Sequence, residues 1–461
     1  MEPPPASRER AAAVDRLRDL PDGVLLDVLS RLTFRQAVRT GALSRRWRSL
    51  WHAVPYPTSS IDIDHRAFQG KDNGVIDSHL PIRRGEDDEA QERRFAFLDF
   101  GDRVTTTGAA AGDPPLGAFR LRVADRDGFN AAHRWIRRAL TRRPMAVALR
   151  CDAWSSWPCV TEGPEFSFHQ YCRGGGAFTG RLRALQLCRV KLEKEFAGAI
   201  ANDLPVLEDL RLQECVYMLT RIASASLQNL DIHHCYHYGY GVGGALALAA
   251  PRLATLRIYG ETPPVAVEGE MPSLVAASLE HRAGILLGSV SHATDLSLSY
   301  VFDTSALLGD GEEPKGFPVF RNLRNLVLDR CDIGVECQAL RHFLRNSPNL
   351  ETLALRYCDF FGGSRSNKRK ARSSSDKAAP SGGRRVPATC ACNNLKWVEF
   401  QCFDYLDDQD VSEVDVALEE IEIAEGIFEL YDALEEIPKK VVHPIESSIH
   451  QGRRIVRISY E

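Results

Sequence analysis

The sequence predicts an α/β chain in which an N-terminal segment of three helices precedes a curved solenoid of stacked strand units. Two observations lead to this prediction. Between residues 20 and 51, apolar residues recur at the spacing of an amphipathic helix. From residue 182 onward, the pattern L-x-x-L-x-L returns at intervals of 19 to 30 residues, with one longer interval of 45. Such a repeat is typical of a solenoid, because each unit buries its apolar face only against its neighbours.

The first predicted helix runs from about Asp22 to Arg31. It follows Pro21, and the missing N–H of a proline is tolerated in a first helical turn. Apolar side chains then recur at helical spacing, at Val24, Leu25, Val28, Leu29 and Leu32.

Two further short helices follow. Thr33 and Gln36 have the spacing of a capping box and start the second helix. Ser44 caps the third helix, one face of which carries Trp47, Leu50 and Trp51. Two tryptophans on so small a helix are costly to leave in water, so the segment is expected to have a partner.

Residues 15–57 resemble the F-box, the module that docks a protein onto the Skp-type adaptor of an SCF (Skp, cullin, F-box) ubiquitin ligase. The resemblance rests on the ordered motifs Leu20-Pro21, Ala37-Val38-Arg39-Thr40 and Leu43-Ser44-Arg45-Arg46-Trp47. It implies that the Skp-type adaptor, and through it the cullin, is bound by Leu20, Pro21, Val24, Leu25, Leu29, Val38, Leu43, Trp47, Leu50 and Trp51. From the residues alone, the pattern also suits a three-helix domain packed on the rest of the chain, or a basic helix-turn-helix that reads DNA.

The strand pattern resembles the leucine-rich repeat. Its copies begin at Leu182, Leu207, Leu227, Leu253, Leu274, Ala293, Leu323, Leu350 and Leu395. Their spacing falls mostly within the range of that repeat, and Val147 with Leu149 suggests an earlier, atypical unit. We expect each unit to contain one short strand and an irregular or helical return, over residues 95–361 and once more after residue 390.

Four cysteines occupy one position of the repeat, three residues after its last apolar residue: Cys215, Cys235, Cys331 and Cys358. In leucine-rich repeats this position lies in the turn beneath the strand. Because thiols stay reduced inside cells, we expect four free, buried thiols and no bound metal. The run His233-His234-Cys235 contains zinc-ligand residue types, but no second Cys/His pair follows at zinc-finger spacing.

Strand alternation predicts which repeat residues face outward along the concave side. They form a polar strip with a few aromatic side chains, and the candidate target contacts are Asp209, Arg211, Asp231, His233, Arg257, Tyr259, Asp329, Arg356, Trp397 and Glu399. A solenoid would use such a strip to hold a protein or a small ligand, although ordinary solvation selects similar residues.

Composition predicts the remaining segments. Residues 1–14 are expected to be a disordered leader, 58–94 a linker or surface loop, and 362–389 a disordered basic insertion. Within the insertion, a resemblance to a nuclear-import signal is carried by Lys368, Arg369, Lys370 and Arg372. Residues 390–461 contain the last repeat, strands that resemble the FBD-type C-terminal region of plant F-box proteins, and an acidic block. That block, 403–438, has fourteen Asp or Glu and no Lys or Arg, and its apolar spacing suits a helix or a strand.

Composition and motifs also exclude several classes of protein. With 461 residues, a net charge of −4 and 44% hydrophobic residues, the chain shows no bias toward nucleic acid or membrane as a partner. No apolar run reaches the roughly eighteen residues of a membrane span, and the first residues lack the apolar core of a signal peptide. The sequence has no phosphate-binding loop, H-E-x-x-H or G-x-S-x-G motif, so we expect no enzyme activity and no cofactor.

We therefore expect a non-enzymatic adaptor that brings an unknown target protein to a ubiquitin ligase in the cytoplasm, the nucleus or both. Two alternatives stay open from the sequence. One is a leucine-rich-repeat scaffold that works without ubiquitin transfer. The other is a nuclear factor that uses the basic insertion on nucleic acid.

Overall fold

The chain divides into two compact units. The computed structural model describes residues 20–31, 40, 44–47, 50, 60–68, 86–106, 115–152, 165–166, 171, 179–237, 246–260, 265–280, 287–301, 317–331, 338–358, 392, 394–403, 441–449 and 453–460. The first unit comprises Met1–Arg122 and Arg134–Met145, and the second comprises Val123–His133 and Ala146–Glu461. Over these described ranges, no helix combines the length and the apolar character needed to cross a membrane.

The first unit begins with the helix predicted from the N-terminal pattern. Helix α1 spans Asp22–Arg31, as predicted. Residues 45–47 are helical, and the Ser44 hydroxyl accepts the backbone N–H of Trp47 at 3.2 Å. The start of the third helix and its cap are therefore confirmed, whereas most of the second predicted helix lies outside the described residues.

The structure differs from the loop predicted over residues 58–94. Strand β1 (Ser60–Asp64) and a 3₁₀ turn (His65–Phe68) occupy its start, and helix α2 (Glu86–Thr106) begins before its end. Strand β1 forms because Ile61 and Ile63 alternate with polar residues and are both buried. Helix α2 begins in a charged run, EDDEAQERR, in which Glu, Ala, Gln and Arg favour helix without producing an apolar period.

Strand β1 pairs in parallel with β2 (Ala118–Val123), and helix α3 (Arg126–Thr141) follows β2. Within the first unit, Asp102 of α2 joins the two helices. Its carboxylate accepts the Trp135 indole N–H at 3.0 Å and the Arg138 guanidinium at 3.1 Å, and Arg134 donates at 2.5 Å. The preceding residue, Gly101, faces the Trp135 ring so closely that an added Cβ would lie 2.3 Å from it.

The second unit is built on one sheet of mostly parallel strands. In order of adjacency, these strands are β3 (Ala146–Cys151), β5 (Ala184–Cys188), β7 (Asp209–Gln213), β10 (Asn229–His233), β13 (Thr255–Tyr259), β15 (Ala276–Glu280), β16 (Asp295–Ser299), β17 (Asn325–Asp329), β18 (Thr352–Arg356), β19 (Trp397–Phe403), β21 (Arg453–Tyr460) and β20 (Val441–Ile449). From β3 to β19 neighbouring strands are parallel, whereas β21 is antiparallel to β19 and β20. Each L-x-x-L-x-L copy supplies one strand, and the predicted earlier unit is β3.

Alternate burial explains why these segments form strands. In β7, β10 and β13 the second and fourth residues are buried and the others are not. The parallel register places Leu210, Leu230 and Leu256 side by side in one row beneath the sheet. Burial of one such side chain is worth roughly 1.5 to 3 kcal/mol, so each unit stabilises its neighbours.

The return segments between main strands contain shorter elements. Two small parallel sheets consist of β11 (Tyr236–His237), β8 (Val216–Tyr217), β6 (Lys191–Leu192) and β4 (Glu165–Phe166), and of β14 (Val265–Val267), β12 (Leu246–Ala249) and β9 (Arg221–Ala223). The helical returns are α4 (Glu195–Gly198) with the π turn Ala199–Asp203, the 3₁₀ turn Leu287–Val290, and α5 (Gln338–Asn346).

Most main strands are followed at once by a residue with left-handed backbone. We call these residues the turn row: Arg189, Glu214, His234, Gly260, Tyr300, Arg330 and Tyr357, with φ between 49° and 89°. The N–H of six turn-row residues donates to the carbonyl of the fifth residue of the next strand, as from Glu214 to His233 at 2.7 Å and from Tyr357 to Gln401 at 2.8 Å, whereas the Gly260 N–H donates to the Glu280 side-chain carboxylate at 2.7 Å. At those six positions, backbone pairing therefore continues one residue beyond the strand.

The C-terminal strands agree in part with the prediction. β19 and β21 lie at the two segments whose sequences resemble FBD-type strands, Asn394 to Gln401 and Arg454 to Ile458, and β20 is an additional strand. The predicted leader (1–14), the basic insertion (362–389) and the acidic block from 404 to 438 lie outside the described residues.

Candidate binding surfaces

The N-terminal segment has a small core of its own. The side chains buried in it or packed against it are Leu20, Leu25, Leu26, Leu29, Trp47 and Leu50. Arg46 holds the third helix against the start of α1, because its guanidinium donates to the Leu20 carbonyl at 2.5 Å and to the Asp22 carboxylate at 2.6 Å. One side of α1 is therefore packed against the third helix.

The outer side of α1 carries an apolar surface. Val24 and Val28 are 46% and 41% exposed, and Pro21 at the start of the helix is exposed too. Residues four apart on a helix lie on the same face. We call Pro21, Val24 and Val28 the valine face.

The structure shows that several of the predicted adaptor contacts pack inside the segment, while their contact with an adaptor stays a prediction. Leu25, Leu29, Trp47 and Leu50 are buried within the segment itself, and Leu20 packs against them. Their first contribution is therefore to the fold of the segment, and the freely accessible apolar surface is the valine face. Val28 joins this face although it was not among the predicted contacts, whereas Val38, Leu43 and Trp51 lie outside the described residues.

The outward side of the main sheet carries three rows of side chains, formed by the first, third and fifth residues of the strands. We call them the first, middle and last rows. All ten predicted target-facing residues lie on them: Asp209 and Trp397 in the first row, Arg211, Asp231, Arg257 and Glu399 in the middle row, and His233, Tyr259, Asp329 and Arg356 in the last row. Their alternation with buried residues is confirmed, and their contact with a target remains a prediction.

The first row is a ladder of polar side chains that bond one another across strands. The Asn229 amide donates to the Asp209 carboxylate at 2.5 Å, and Thr352 donates to the Asn325 side-chain oxygen at 2.6 Å. The row ends at Trp397, which is 50% exposed. Asp209, Asn229, Asp295, Asn325 and Thr352 are hydrogen-bonded to one another across strands, so Trp397 is the large side chain of this row best placed for an outside contact.

The middle row contains an acidic residue between two arginines. Asp231 aligns with Arg211 on one neighbouring strand and with Arg257 on the other. No ion pair joins it to either one among the described side chains, and its Oδ1 atom is buried without a hydrogen-bond partner. Asp231 and the exposed Arg211 and Arg257 therefore keep unused hydrogen-bonding capacity.

The last row has aromatic contacts at one point and charges at another. The His233 ring lies 5.3 Å from the Tyr259 ring and 4.6 Å from that of His234, between centroids. Farther along, Asp329 and Arg356 align on adjacent strands. The Asp329 Oδ1 and Arg356 Nε atoms are buried and have no hydrogen-bond partner in the part of the chain that is described.

The turn row adds a second line of side chains beside the last row. Arg189 forms an ion pair with Glu214 at 2.7 Å. Arg330 lies beside both Tyr300 and Tyr357 and donates to the Tyr300 hydroxyl, which raises the pKa of the Arg330 guanidinium. The sequence analysis did not predict the turn row. A sequence signal for it exists, because several turn-row residues directly precede a repeat cysteine.

The repeat cysteines are free thiols in equivalent turns. Each donates to the carbonyl of the fourth residue of a neighbouring strand, at 3.2 to 3.4 Å. Three of them are buried, whereas Cys358 is only half-buried, in contrast to the predicted burial of all four. The register of the repeat that placed them is confirmed.

These thiols are poorly suited to covalent chemistry. Burial raises the pKa of Cys215 and of Cys358, and it raises the pKa of Cys188 in β5 to about 12. A cysteine that carries ubiquitin needs a lowered pKa and an exposed sulfur. Within the described ranges, no group of three His, Cys, Asp or Glu side chains could hold a metal ion.

Comparison with known proteins bears on both surfaces. The F-box domain model matches residues 17–57. A putative F-box/LRR-repeat protein of Arabidopsis thaliana is 26% identical over 410 residues, 76% of this chain and 83% of the relative. The MEIOTIC F-BOX protein MOF of Oryza sativa subsp. japonica is 32% identical over 424 residues, 84% of this chain and 80% of the relative. The chain belongs to the plant F-box/LRR-repeat family.

Membership of the F-box/LRR-repeat family implies a general role for the chain. F-box domains in general bind Skp-type adaptors in SCF complexes, and proteins of this family are in general substrate adaptors rather than enzymes. A second relative named an F-box/LRR-repeat protein, also from Arabidopsis thaliana, is 24% identical over 368 residues, 74% of this chain and 72% of the relative.

Proposed function

We propose that this F-box/LRR-repeat protein is the substrate-recognition adaptor of an SCF-type ubiquitin ligase. The F-box binds the Skp-type adaptor and through it the cullin, and the outward rows of the main sheet bind the protein to be ubiquitinated. The observation that carries the proposal is the presence of two different surfaces in one chain: the valine face on α1 and the outward rows with the exposed Trp397.

The valine face supports the first half of the proposal. Val24 and Val28 lie one turn apart, and full burial of each is worth roughly 1.5 to 3 kcal/mol. Leu25 and Leu29 already fill the core beneath them, so binding an adaptor there does not require the segment to refold. We propose that Val38, Leu43 and Trp51 extend this contact.

The parallel strands support the second half. They stack in sequence order with one short strand per unit, which suits a curved leucine-rich-repeat solenoid whose concave side carries the three outward rows. A target held there would be ubiquitinated through proximity, because holding two reactants together converts a bimolecular step into an effectively unimolecular one. The raised pKa values of Cys188, Cys215 and Cys358 agree with a role that needs no reactive thiol in this chain.

Two parts of the proposal rest on sequence alone. The strands after residue 390 belong to an FBD-type region, and a nuclear-import signal consists of Lys368, Arg369, Lys370 and Arg372. The protein would then act in the nucleus as well as the cytoplasm. Replacement of these four residues by alanine should shift a fluorescently tagged full chain toward the cytoplasm, and an unchanged distribution would refute the signal.

The first test is copurification of the full chain with a plant Skp-type adaptor. The double variant Val24→Asp with Val28→Asp should lose at least about tenfold in adaptor affinity, since about 1.4 kcal/mol corresponds to a factor of ten. The matched control is Val275→Asp with Val319→Asp, two equally exposed valines of the second unit. The control should bind like the unsubstituted chain.

The outcomes separate the parts of the proposal. Equal loss in both double variants would point to general destabilisation and refute the valine face as the docking surface. No adaptor binding by the unsubstituted chain would refute the proposed function. Recovery of a stable partner from plant cells without cullin would favour a leucine-rich-repeat scaffold that works without ubiquitin transfer.

A further inference from the structure

The turn row contains an arginine held between two aromatic rings. The Arg330 Cζ atom lies 5.3 Å from the Tyr300 ring centroid and 5.8 Å from the Tyr357 ring centroid. Both distances lie in the range of cation–π attraction. One terminal nitrogen of Arg330 also donates to the Tyr300 hydroxyl. The side chain is exposed, yet these contacts restrict its orientation.

Arg330 keeps unused hydrogen-bond donors. Its Nε and second terminal nitrogen form no hydrogen bond among the described residues, and no salt bridge joins it to an acid there, although the nearby Asp329 carboxylate contributes to its raised pKa. Two arginines that directly flank strands of the sheet do pair with acids, Arg189 with Glu214 and Arg324 with Glu351. An exposed guanidinium that is oriented but unpaired has the properties of a ligand contact.

A second guanidinium lies on the adjacent strand. The backbone N–H of Arg330 donates to the Arg356 carbonyl at 2.7 Å, so the two residues are neighbours. The Arg356 Nε atom is buried without a hydrogen-bond partner, although Asp329 aligns with Arg356 across the strands. A buried donor without an acceptor is unfavourable, and a partner that draws the Arg356 guanidinium outward would relieve it.

We propose that Arg330 and Arg356, beside Tyr300 and Tyr357, bind carboxylates of an acidic segment of the target protein. This inference rests on the proposed function, in which the outward side of the sheet holds the target. The planar guanidinium matches a carboxylate with two parallel hydrogen bonds. The tyrosine rings stabilise the plane of Arg330 before binding, which reduces the entropy lost when the partner docks.

The surrounding charges favour a carboxylate over a phosphate. Asp329 aligns with Arg356, and Glu399 lies one strand further, where it accepts a hydrogen bond from Gln401 at 2.9 Å. These acids reduce the positive potential around the two arginines. A dianionic phosphate loses more from nearby negative charge than a monoanionic carboxylate does.

Fluorescence anisotropy with the full chain tests the inference. The probes are a labelled peptide of alternating Glu and Gly, a Gln analogue of the same length, and a phosphoserine analogue. The Glu peptide should bind at least about tenfold more tightly than the Gln analogue. Arg330→Gln should weaken binding of the Glu peptide at least about fivefold. Arg330→Lys keeps the positive charge but cannot donate two parallel hydrogen bonds, so it should give an intermediate loss.

Arg221→Gln is the matched control, because Arg221 is exposed, already pairs with Glu268, and loses the same charge. Tyr357→Phe should bind the Glu peptide like the unsubstituted chain, whereas Tyr357→Ala should weaken it, since the ring orients Arg330. Far-UV circular dichroism checks that each variant is folded.

Equal affinity for the Glu and Gln peptides would overturn the inference. So would equal effects of Arg330→Gln and Arg221→Gln, or tighter binding of the phosphoserine peptide than of the Glu peptide. Adaptor binding is measured in parallel on the same samples. A chain that binds the Glu peptide but no Skp-type adaptor would refute the proposed function alone, and the reverse result would refute this inference alone.

Discussion

Replacement of Gly260 by alanine tests whether close packing between the turns of adjacent units contributes to stability. Gly260 has φ +89°, and an added Cβ would lie 2.5 Å from Nδ1 and 2.8 Å from Cα of His234, the preceding turn-row residue. Gly269 has nearly the same backbone, φ +85°, but nothing lies within 4 Å of an added Cβ. The two alanine variants therefore separate backbone strain from a clash between adjacent units.

The magnitudes follow from these geometries. Left-handed backbone costs an alanine roughly 1 to 2 kcal/mol relative to a conformation it prefers, which is the expected loss for Gly269→Ala. Overpacking adds roughly 1 to 3 kcal/mol, so Gly260→Ala should lose about 2 to 5 kcal/mol. The clash cannot be relieved by the side chain alone, because the His234 Cα belongs to the backbone and the His234 N–H is bonded to the Tyr259 carbonyl at 2.8 Å.

Urea unfolding followed by far-UV circular dichroism measures both variants. The midpoint should fall in the order unsubstituted chain, Gly269→Ala, Gly260→Ala, because the free energy of unfolding decreases linearly with urea. Gly198→Ala, at a helical glycine with open space around it, serves as a further control and should not fall. Equal midpoints for Gly260→Ala and Gly269→Ala would refute close packing between the turns of adjacent units.

The other predictions concern helix packing, thiol ionisation and the basic insertion. Gly101→Ala should destabilise the chain by roughly 1 to 3 kcal/mol through overlap with Trp135, despite the better helix propensity of alanine; an unchanged urea midpoint would mean that Trp135 moves freely. Because burial raises the pKa of Cys188 from 9.0 to about 12, the unfolded thiol ionises first and stability is lost as pH rises from about 9 toward 12; Cys188→Ala should flatten this decline, and superimposable pH profiles would contradict it. Deletion of residues 364–386 should leave the thermal midpoint nearly unchanged, because no periodic apolar residue is removed; a large fall would show that the insertion packs.

The main sheet could be predicted because its residues are periodic. Leu210, Leu230 and Leu256 share one position of the repeat, and strand alternation alone then places Arg211, Asp231 and Arg257 outside. The structure confirms this register. The repeat cysteines could be placed in the turn for the same reason, since each follows its strand at a fixed distance.

The turn row could not be predicted in the same way. Its members include Arg330, Tyr300 and Gly260, so no residue type marks the position. Their left-handed backbone is stabilised by hydrogen bonds to the next strand, which is a tertiary effect. The approach of Arg330 to Tyr300 and Tyr357 depends on the stacking of three successive units. The three residues are far apart in the sequence, so no local pattern reveals that they meet.

The F-box segment shows a different limit. The helical spacing of its apolar residues predicts α1 correctly, but it does not tell which apolar residues face inward. Leu29 is buried and Val28 is exposed because the third helix, through Trp47, packs on one side of α1 only. The predicted adaptor contacts therefore include both core residues of the segment and residues of its outer surface, and their contact with an adaptor stays a prediction.

The hydrogen bonds of the turn row have a consequence for how such a chain diverges in evolution. Apart from the bond of Gly260 to the Glu280 side chain, they join only the strands and the residue after each one, so the length of chain between strands is free to vary. Thr352 remains aligned with Trp397 across the longest interval, which contains the entire basic insertion. Segments gained or lost between strands would leave this backbone ladder in place, and new binding specificities could therefore arise in the returns without redesign of the sheet.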